Sequence, residues 1–142
     1  MRPQTSIVSF CVACASIILL AGVLLVSPAR AFDACAFQFS SQNLCATLVW
    51  PPSASVGAEV KLQLQFRDLS SGTAKDPVGD VGLFLWMPMM GHGSRPVTIA
   101  HVSGSGLYHV SKAYFVMAGD WELHLTLKSG ATSEESIVTV HL

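Results

Sequence analysis

The feature that most constrains the fold of this chain is a strict alternation of apolar and polar residues in two segments, 58–67 and 121–128. Successive side chains of a β-strand point to opposite faces, so this pattern predicts strands with one buried face and one face in water. The apolar members are Val60, Leu62, Leu64 and Phe66 in the first segment, and Trp121, Leu123, Leu125 and Leu127 in the second. We find no comparable amphipathic helix pattern, so the chain is expected to be built from packed sheets.

Seven segments with strand character are separated by turn residues. Pro51, Pro52 and Pro88 interrupt the pattern, and 103–106 (Ser-Gly-Ser-Gly) has the composition of a tight hairpin turn. The third segment is apolar on both faces, which predicts a central strand. The predicted strands span 44–50, 58–67, 81–87, 97–102, 107–116, 121–128 and 135–142. Strands of this number and length predict an all-β, immunoglobulin-like antiparallel sandwich.

The N-terminal segment has a different character. Arg2 precedes an apolar run over 7–26, and an Ala-x-Ala sequence ends at Ala31. This layout predicts an apolar helix that serves as a secretory signal peptide, residues 1–31, before one domain over 32–142. The run also approaches the ~20 residues that span a bilayer, so the alternative is an uncleaved anchor. We expect a periplasmic or secreted domain, or one anchored in the inner membrane and facing the periplasm.

Two of the four cysteines, Cys35 and Cys45, lie in the predicted domain. In an exported domain they predict one disulfide that ties the N-terminal segment to the first strand. The alternative is a thiol metal site or a redox pair. The spacing of the two cysteines is not that of a Cys-x-x-Cys motif, which favours the structural bridge.

Composition and motifs bear on the class of function. The formal net charge is -1, which does not indicate a surface for nucleic acid. The sequence contains no Gly-x-Ser-x-Gly, His-Glu-x-x-His or phosphate-loop motif. We therefore predict a protein that is not an enzyme and that contacts a membrane only if the leader is retained.

Segment 86–92, Trp-Met-Pro-Met-Met-Gly-His, has the most distinctive chemistry. Three of the five methionines of the chain, Met87, Met89 and Met90, lie here beside His92. Thioether sulfur is a soft ligand suited to Cu(I), and imidazole accepts either oxidation state of copper. These four residues predict a copper site in which Cu(I) is favoured. The alternative is a hydrophobic plug that closes the end of the sandwich, since methionine fills irregular gaps.

Topology adds a fifth candidate ligand. Connections in such a sandwich alternate between its two ends, which predicts that loops 88–96 and 117–120 lie at the same end. Met117 is therefore expected near the other methionines.

The remaining histidines are weaker candidates. His101 and His109 flank the 103–106 turn and predict a second, Cu(II)-type site toward the opposite end. His124 is expected to point outward by alternation.

The same segments carry a family resemblance. The run 87–92 is followed by Pro96, by Gly-Leu-Tyr at 106–108, and by Phe-Val-Met-Ala-Gly-Asp-Trp-Glu-Leu at 115–123. In this order they resemble the YtkA-like domain family, which is related to FixH-type proteins. The resemblance implies an exported or anchored β-sandwich with a link to copper handling or oxidase assembly. The Ala-x-Ala sequence and the cysteine pair depart from the anchored FixH pattern.

Two functions are consistent with these features. The first is an exported copper-binding or copper-delivery protein that passes its metal to another envelope protein. The alternative is a metal-free module that assists assembly of a membrane complex such as a respiratory oxidase. In that case Trp86, Met89 and Met90 would form a contact patch.

Cleavage of the leader is directly testable. We expect the exported protein to begin at Phe32, because the Ala-x-Ala sequence ends at Ala31. Intact-mass spectrometry of protein recovered after export measures the N-terminus. A mass that retains residues 1–31 would support the anchor instead.

Overall fold

The computed structural model describes residues 35–52 and 54–142, so the predicted leader lies outside the described residues. Within these residues the chain forms short strands and one 3-10 helix, Pro88–Met90. The strands are β1 (Phe37–Phe39), β2 (Leu44–Val49), β3 (Glu59–Asp68), β4 (Asp80–Met87), β5 (His92–Gly93), β6 (Thr98–Val102), β7 (Leu107–Tyr114), β8 (Asp120–Ser129) and β9 (Thr132–His141). No helix in this part of the chain is long and apolar enough to cross a membrane.

The strands build two antiparallel sheets. One has the order β1-β2-β3-β7-β6 and the other has the order β5-β4-β8-β9. The predicted all-β sandwich is thereby confirmed, and each of the seven predicted strands is found within three residues of its expected bounds. Strands β1 and β5 were not predicted, because strands of three and two residues are too short to show alternation.

The core is the apolar layer between the two sheets. On β3 the alternating residues Leu62, Leu64 and Phe66 are at most 1% exposed, and Trp121 and Leu123 on β8 are 0% exposed. The period-two pattern therefore gives each strand the predicted buried face, which points into the core.

Segment 81–87, predicted to be a central strand, is internal to its sheet. β4 lies between β8 and β5, but β5 pairs with it only at Trp86 and Met87. The outward side chain of Phe84 is 47% exposed, because a two-layer sandwich has no element to cover this face. Phe84 packs instead on its neighbour Trp86, with ring centroids 6.0 Å apart.

The predicted disulfide is confirmed. Cys35 and Cys45 are bonded, with their Cα atoms 5.5 Å apart. Cys45 is paired in register with Gln38 of β1 and Arg67 of β3. The bridge therefore fastens the segment before β1 to the neighbouring strand, as expected for a structural bond.

The turn that follows the edge strand β1 is also hydrogen-bonded to the opposite sheet. The Glu134 carboxylate of β9 accepts hydrogen bonds from the backbone N–H groups of Ser40 and Ser41, at 2.8 and 3.1 Å, and from both hydroxyls. These bonds lower the pKa of Glu134, with the largest effect from the Ser41 hydroxyl. They therefore favour the ionised carboxylate. One side of the sandwich is thus closed by charge-assisted hydrogen bonds.

Asp76 holds the long β3–β4 loop against the β6–β7 turn. Its carboxylate accepts hydrogen bonds from the N–H groups of Gly104 and Gly106, at 2.7 and 2.6 Å. His101 Nε2 lies 3.0 Å from the same carboxylate and is the largest cause of the lowered pKa of Asp76. Asp76 therefore stabilises the fold as a carboxylate and not as a carboxylic acid.

This arrangement predicts a pH-dependent contribution to stability. A lowered pKa in the folded state means that the contribution is present above the ordinary value of 3.8 and is lost as the pH falls through the folded value. Asp76→Asn removes the titrating charge. The difference in free energy of unfolding between wild type and Asp76→Asn should therefore shrink as the pH is lowered below 3.8.

Urea denaturation on either side of that pH measures the difference. Asp80→Asn is the control, since Asp80 is an exposed carboxylate at the start of β4 that accepts no side-chain hydrogen bond from the described residues. A constant difference between wild type and Asp76→Asn at all pH values would contradict the assignment.

Candidate metal centre

The predicted ligands lie at one end of the sandwich, formed by residues 87–92 and 117–120 and called here the methionine end. The 3-10 helix continues β4 and terminates at Gly91, which has a φ of 64°. Its N–H donates to the carbonyls of Met87 and Pro88, at 3.0 and 3.2 Å. Glycine tolerates this left-handed conformation, so the chain reverses within a few residues. β5 then pairs back onto β4, with His92 opposite Met87.

The two loops meet as predicted. An ideal Cβ built on Gly119 would lie 2.9 Å from the terminal methyl of Met87. The indole N–H of Trp121 donates to the carbonyl of Met117 at 3.0 Å and ties the second loop to the core. Met117 therefore lies at the same end as Met87 and His92, although the two segments are far apart in sequence.

The five candidate ligands divide into an inner and an outer group. Met87 is 4% exposed, and Met117 is half-buried against the core. His92 faces the same side as its register partner Met87, and its ring lies edge-on to Trp121 with centroids 6.4 Å apart. We call Met87, His92 and Met117 the inner group. Met89 and Met90, 83% and 55% exposed, are the outer pair.

Trp121 also belongs to the methionine end, although the sequence pattern predicted it only as a core residue. Its ring is 0% exposed, yet it contacts His92 at its edge and holds the Met117 carbonyl. Its position at the start of an alternating strand, directly after the Ala-Gly-Asp turn, was the available signal. Two of the three inner candidates are thus positioned by the same side chain.

The donor set of the methionine end is dominated by thioethers. Among the described residues, no three His, Cys, Asp or Glu side chains are grouped to hold a metal ion. No described residue makes a hydrogen bond to the ring of His92, so its nitrogens remain available to a ligand. Thioether sulfur and imidazole together match the preferences of Cu(I) and not those of hard cations such as Mg²⁺ or Ca²⁺.

The weaker pair His101 and His109 is not brought together. His101 is opposite Tyr108 and stacks on its ring, with centroids 4.4 Å apart. His109 is the next residue along β7, and alternation turns it to the other face of the sheet. Burial, with a smaller effect of the Asp76 charge, raises the pKa of Tyr108, so the tyrosine stays neutral beneath the imidazole.

His124 points outward from β8, as predicted. Its Nε2 and Nδ1 atoms lie 3.0 Å from Glu122 and 3.3 Å from Glu135. Both ring nitrogens are thus engaged by carboxylates on opposite sides of the ring. His124 is therefore part of a surface hydrogen-bond network and lies away from the methionine end.

The close approach of Gly119 to Met87 is testable by substitution. Gly119→Ala places a methyl group against Met87 and demands a φ of 133° from a residue with a side chain. We expect a loss of about 1–3 kcal/mol in the free energy of unfolding, measured by urea denaturation. Gly104→Ala is the control, since Gly104 has a φ of 75° with nothing within 4 Å of an ideal Cβ. Equal losses in the two variants would show that the contact with Met87 is without effect.

Comparisons with known proteins give the family. A YtkA-like family model matches residues 40–126. Among solved structures, the Lin-41 filamin domain is similar, with 23% identity, a TM-score of 0.43, and coverage of 63% of this chain and 89% of that domain. Comparison with curated proteins found no match. Because the family model covers more than half of the 142 residues, the chain belongs to the YtkA-like family.

Proposed function

We propose that this protein is an exported copper-binding protein that delivers Cu(I) to another envelope protein. The observation that supports this most strongly is the meeting of Met87 and His92 with the Met117 loop around Trp121. Two soft sulfur ligands and an imidazole from separate segments thereby lie at one end of a rigid sandwich.

The side chains present fit copper by their chemistry. Met87, Met89, Met90, His92 and Met117 would hold the metal. Thioethers bind Cu(I) without a proton to release, and neutral imidazole supplies a stronger nitrogen donor. The bound ion would be carried by the protein and transferred to an acceptor. The proposal includes no redox or hydrolytic step.

The division of the ligands suits delivery. A closed cage of buried ligands releases metal slowly, whereas Met89 and Met90 reach into solvent. An acceptor protein can approach such side chains and replace them one at a time. The inner group, positioned by the core, would keep the ion in place until that exchange occurs.

A Cu(I) titration against a competing chelator tests the proposal. We expect the purified protein to bind Cu(I), and the Met89→Leu, Met90→Leu, His92→Ala variant to bind at least about tenfold more weakly. Leucine keeps the apolar volume but lacks the sulfur, so the two methionine substitutions report ligation and not packing.

His124→Gln is the matched control, because it removes an imidazole from the same sheet away from the methionine end. It should leave the Cu(I) affinity unchanged. An unchanged affinity in the methionine and histidine variant would overturn the loop site.

A second candidate function is a metal-free interaction module that assists assembly of a membrane complex. It is favoured by one observation, the exposure of Met89 and Met90 in the segment that directly follows the aromatic pair of Phe84 and Trp86. Flexible thioethers beside aromatic rings are typical of adaptable protein interfaces. If the titration shows no Cu(I) binding by the wild-type protein, this second function is the one supported.

A further inference from the structure

His141 lies at the outer side of the methionine end. It is the last residue of β9 and is paired in register with Asp120 of β8. The residues next to this pair, Gly119 and Leu142, exchange two backbone hydrogen bonds of 2.8 and 3.1 Å. The end of β9 is therefore fixed beside the turn that carries Met117.

The His141 ring is held by the carboxylate of Asp120. Its Nδ1 lies 2.7 Å from Oδ1 of Asp120, and the two side chains are 78% and 59% exposed. An ionised carboxylate only accepts hydrogen bonds, so Nδ1 is the donor of this pair and Nε2 is the ring nitrogen that points away from Asp120. No described residue engages Nε2. Metal-binding histidines very commonly donate their other N–H to a carboxylate in this manner.

The other four histidines, all within the described residues, lack this combination. His124 has both nitrogens against carboxylates, and His101 lies under Asp76 at the opposite end of the sandwich. His109 has no carboxylate partner, and His92 belongs to the inner group beside Trp121. His141 therefore combines an orienting carboxylate, an open nitrogen and a place at the methionine end.

The register brings His141 within reach of the outer pair. The pairing of β4 with β8 ends at Trp86 and Glu122, and Asp120, two residues before Glu122 on β8, is paired with His141 of β9. The 3-10 helix that carries Met89 and Met90 contacts β8. Two strand spacings of about 4.8 Å each separate the helix from β9. Long side chains extending from both sides can span that distance.

We propose that His141, oriented by Asp120, binds copper together with Met89 and Met90 as an outer position distinct from the inner group. The inference rests on the proposed copper function, because it names further residues for the same metal. Two thioethers and an imidazole form a set that accepts Cu(I). The outer position is exposed, so it is where copper enters from solvent or passes to an acceptor.

Nuclear magnetic resonance of the full purified protein tests the assignment with Cu(I) itself. Methionine methyl groups and histidine ring nitrogens are observed during the titration. We expect the Met89 and Met90 methyl signals and the His141 Nε2 signal to shift together. The ring nitrogen signals of His124 should keep their chemical shifts. His124 is the matched control, since it is also carboxylate-bound and lies on the same sheet.

Two variants extend the test to affinity. His141→Ala should weaken Cu(I) binding at least about tenfold, and Asp120→Ala should weaken it about tenfold by releasing the ring. Both residues are exposed, so neither change is expected to disturb the core. In Asp120→Ala, the proton of the His141 ring should no longer be confined to Nδ1, and the ring nitrogen signals report this change. If Asp120 only stabilised the fold, the position of that proton would not change.

The outcomes separate this inference from the proposed function. If methionine methyl signals shift while His141 does not, and His141→Ala binds as wild type, the outer position is overturned and copper binding stands. If neither methionine nor histidine signals shift, both proposals fail. A shift of His141 without Met89 and Met90 also overturns the outer position as assigned.

Discussion

The burial of Trp121 is the interaction on which both the core and the methionine end depend. Its indole lies in the layer between the sheets, where truncation of a residue of this size typically costs about 3–5 kcal/mol. A buried indole N–H needs an acceptor, and the Met117 carbonyl supplies it. The requirement of one core side chain for a hydrogen bond therefore fixes the loop that closes this end of the sandwich.

The separation of the inner group from the outer pair follows from the same packing. Met87 ends β4 with its side chain inward, and the methyl group lies under Gly119. The chain then turns through the 3-10 helix, which has no buried residue, before His92 returns to the sheet. A single short segment thus contributes side chains both to the core and to the surface. Met87 fills the end of the core while Met89 and Met90 stay exposed, so of these three methionines only Met87 has the burial that the hydrophobic-plug interpretation requires.

Much of the fold was predictable because alternation carries a strong signal. The strand containing Leu62, Leu64 and Phe66 shows the burial that its sequence indicates. The outward exposure of Phe84 was not predictable, since an apolar residue gives no sign of whether a third layer covers it. The pairing of His101 with Tyr108 instead of His109 depends on the register of one hairpin, and a one-residue slip moves a side chain to the other face. The role of Asp76, which lies in a polar loop, depends on contacts across the fold that no local pattern shows.

The reciprocal hydrogen bonds between Gly119 and Leu142 have a practical consequence for work with this protein. A residue attached after Leu142 would lie beside the Gly119 turn and the His141 ring. A polyhistidine tag at that position would bring several foreign imidazoles next to the candidate copper ligands and compete with them for metal. Biochemistry on this protein is therefore best done with a removable N-terminal tag or with none.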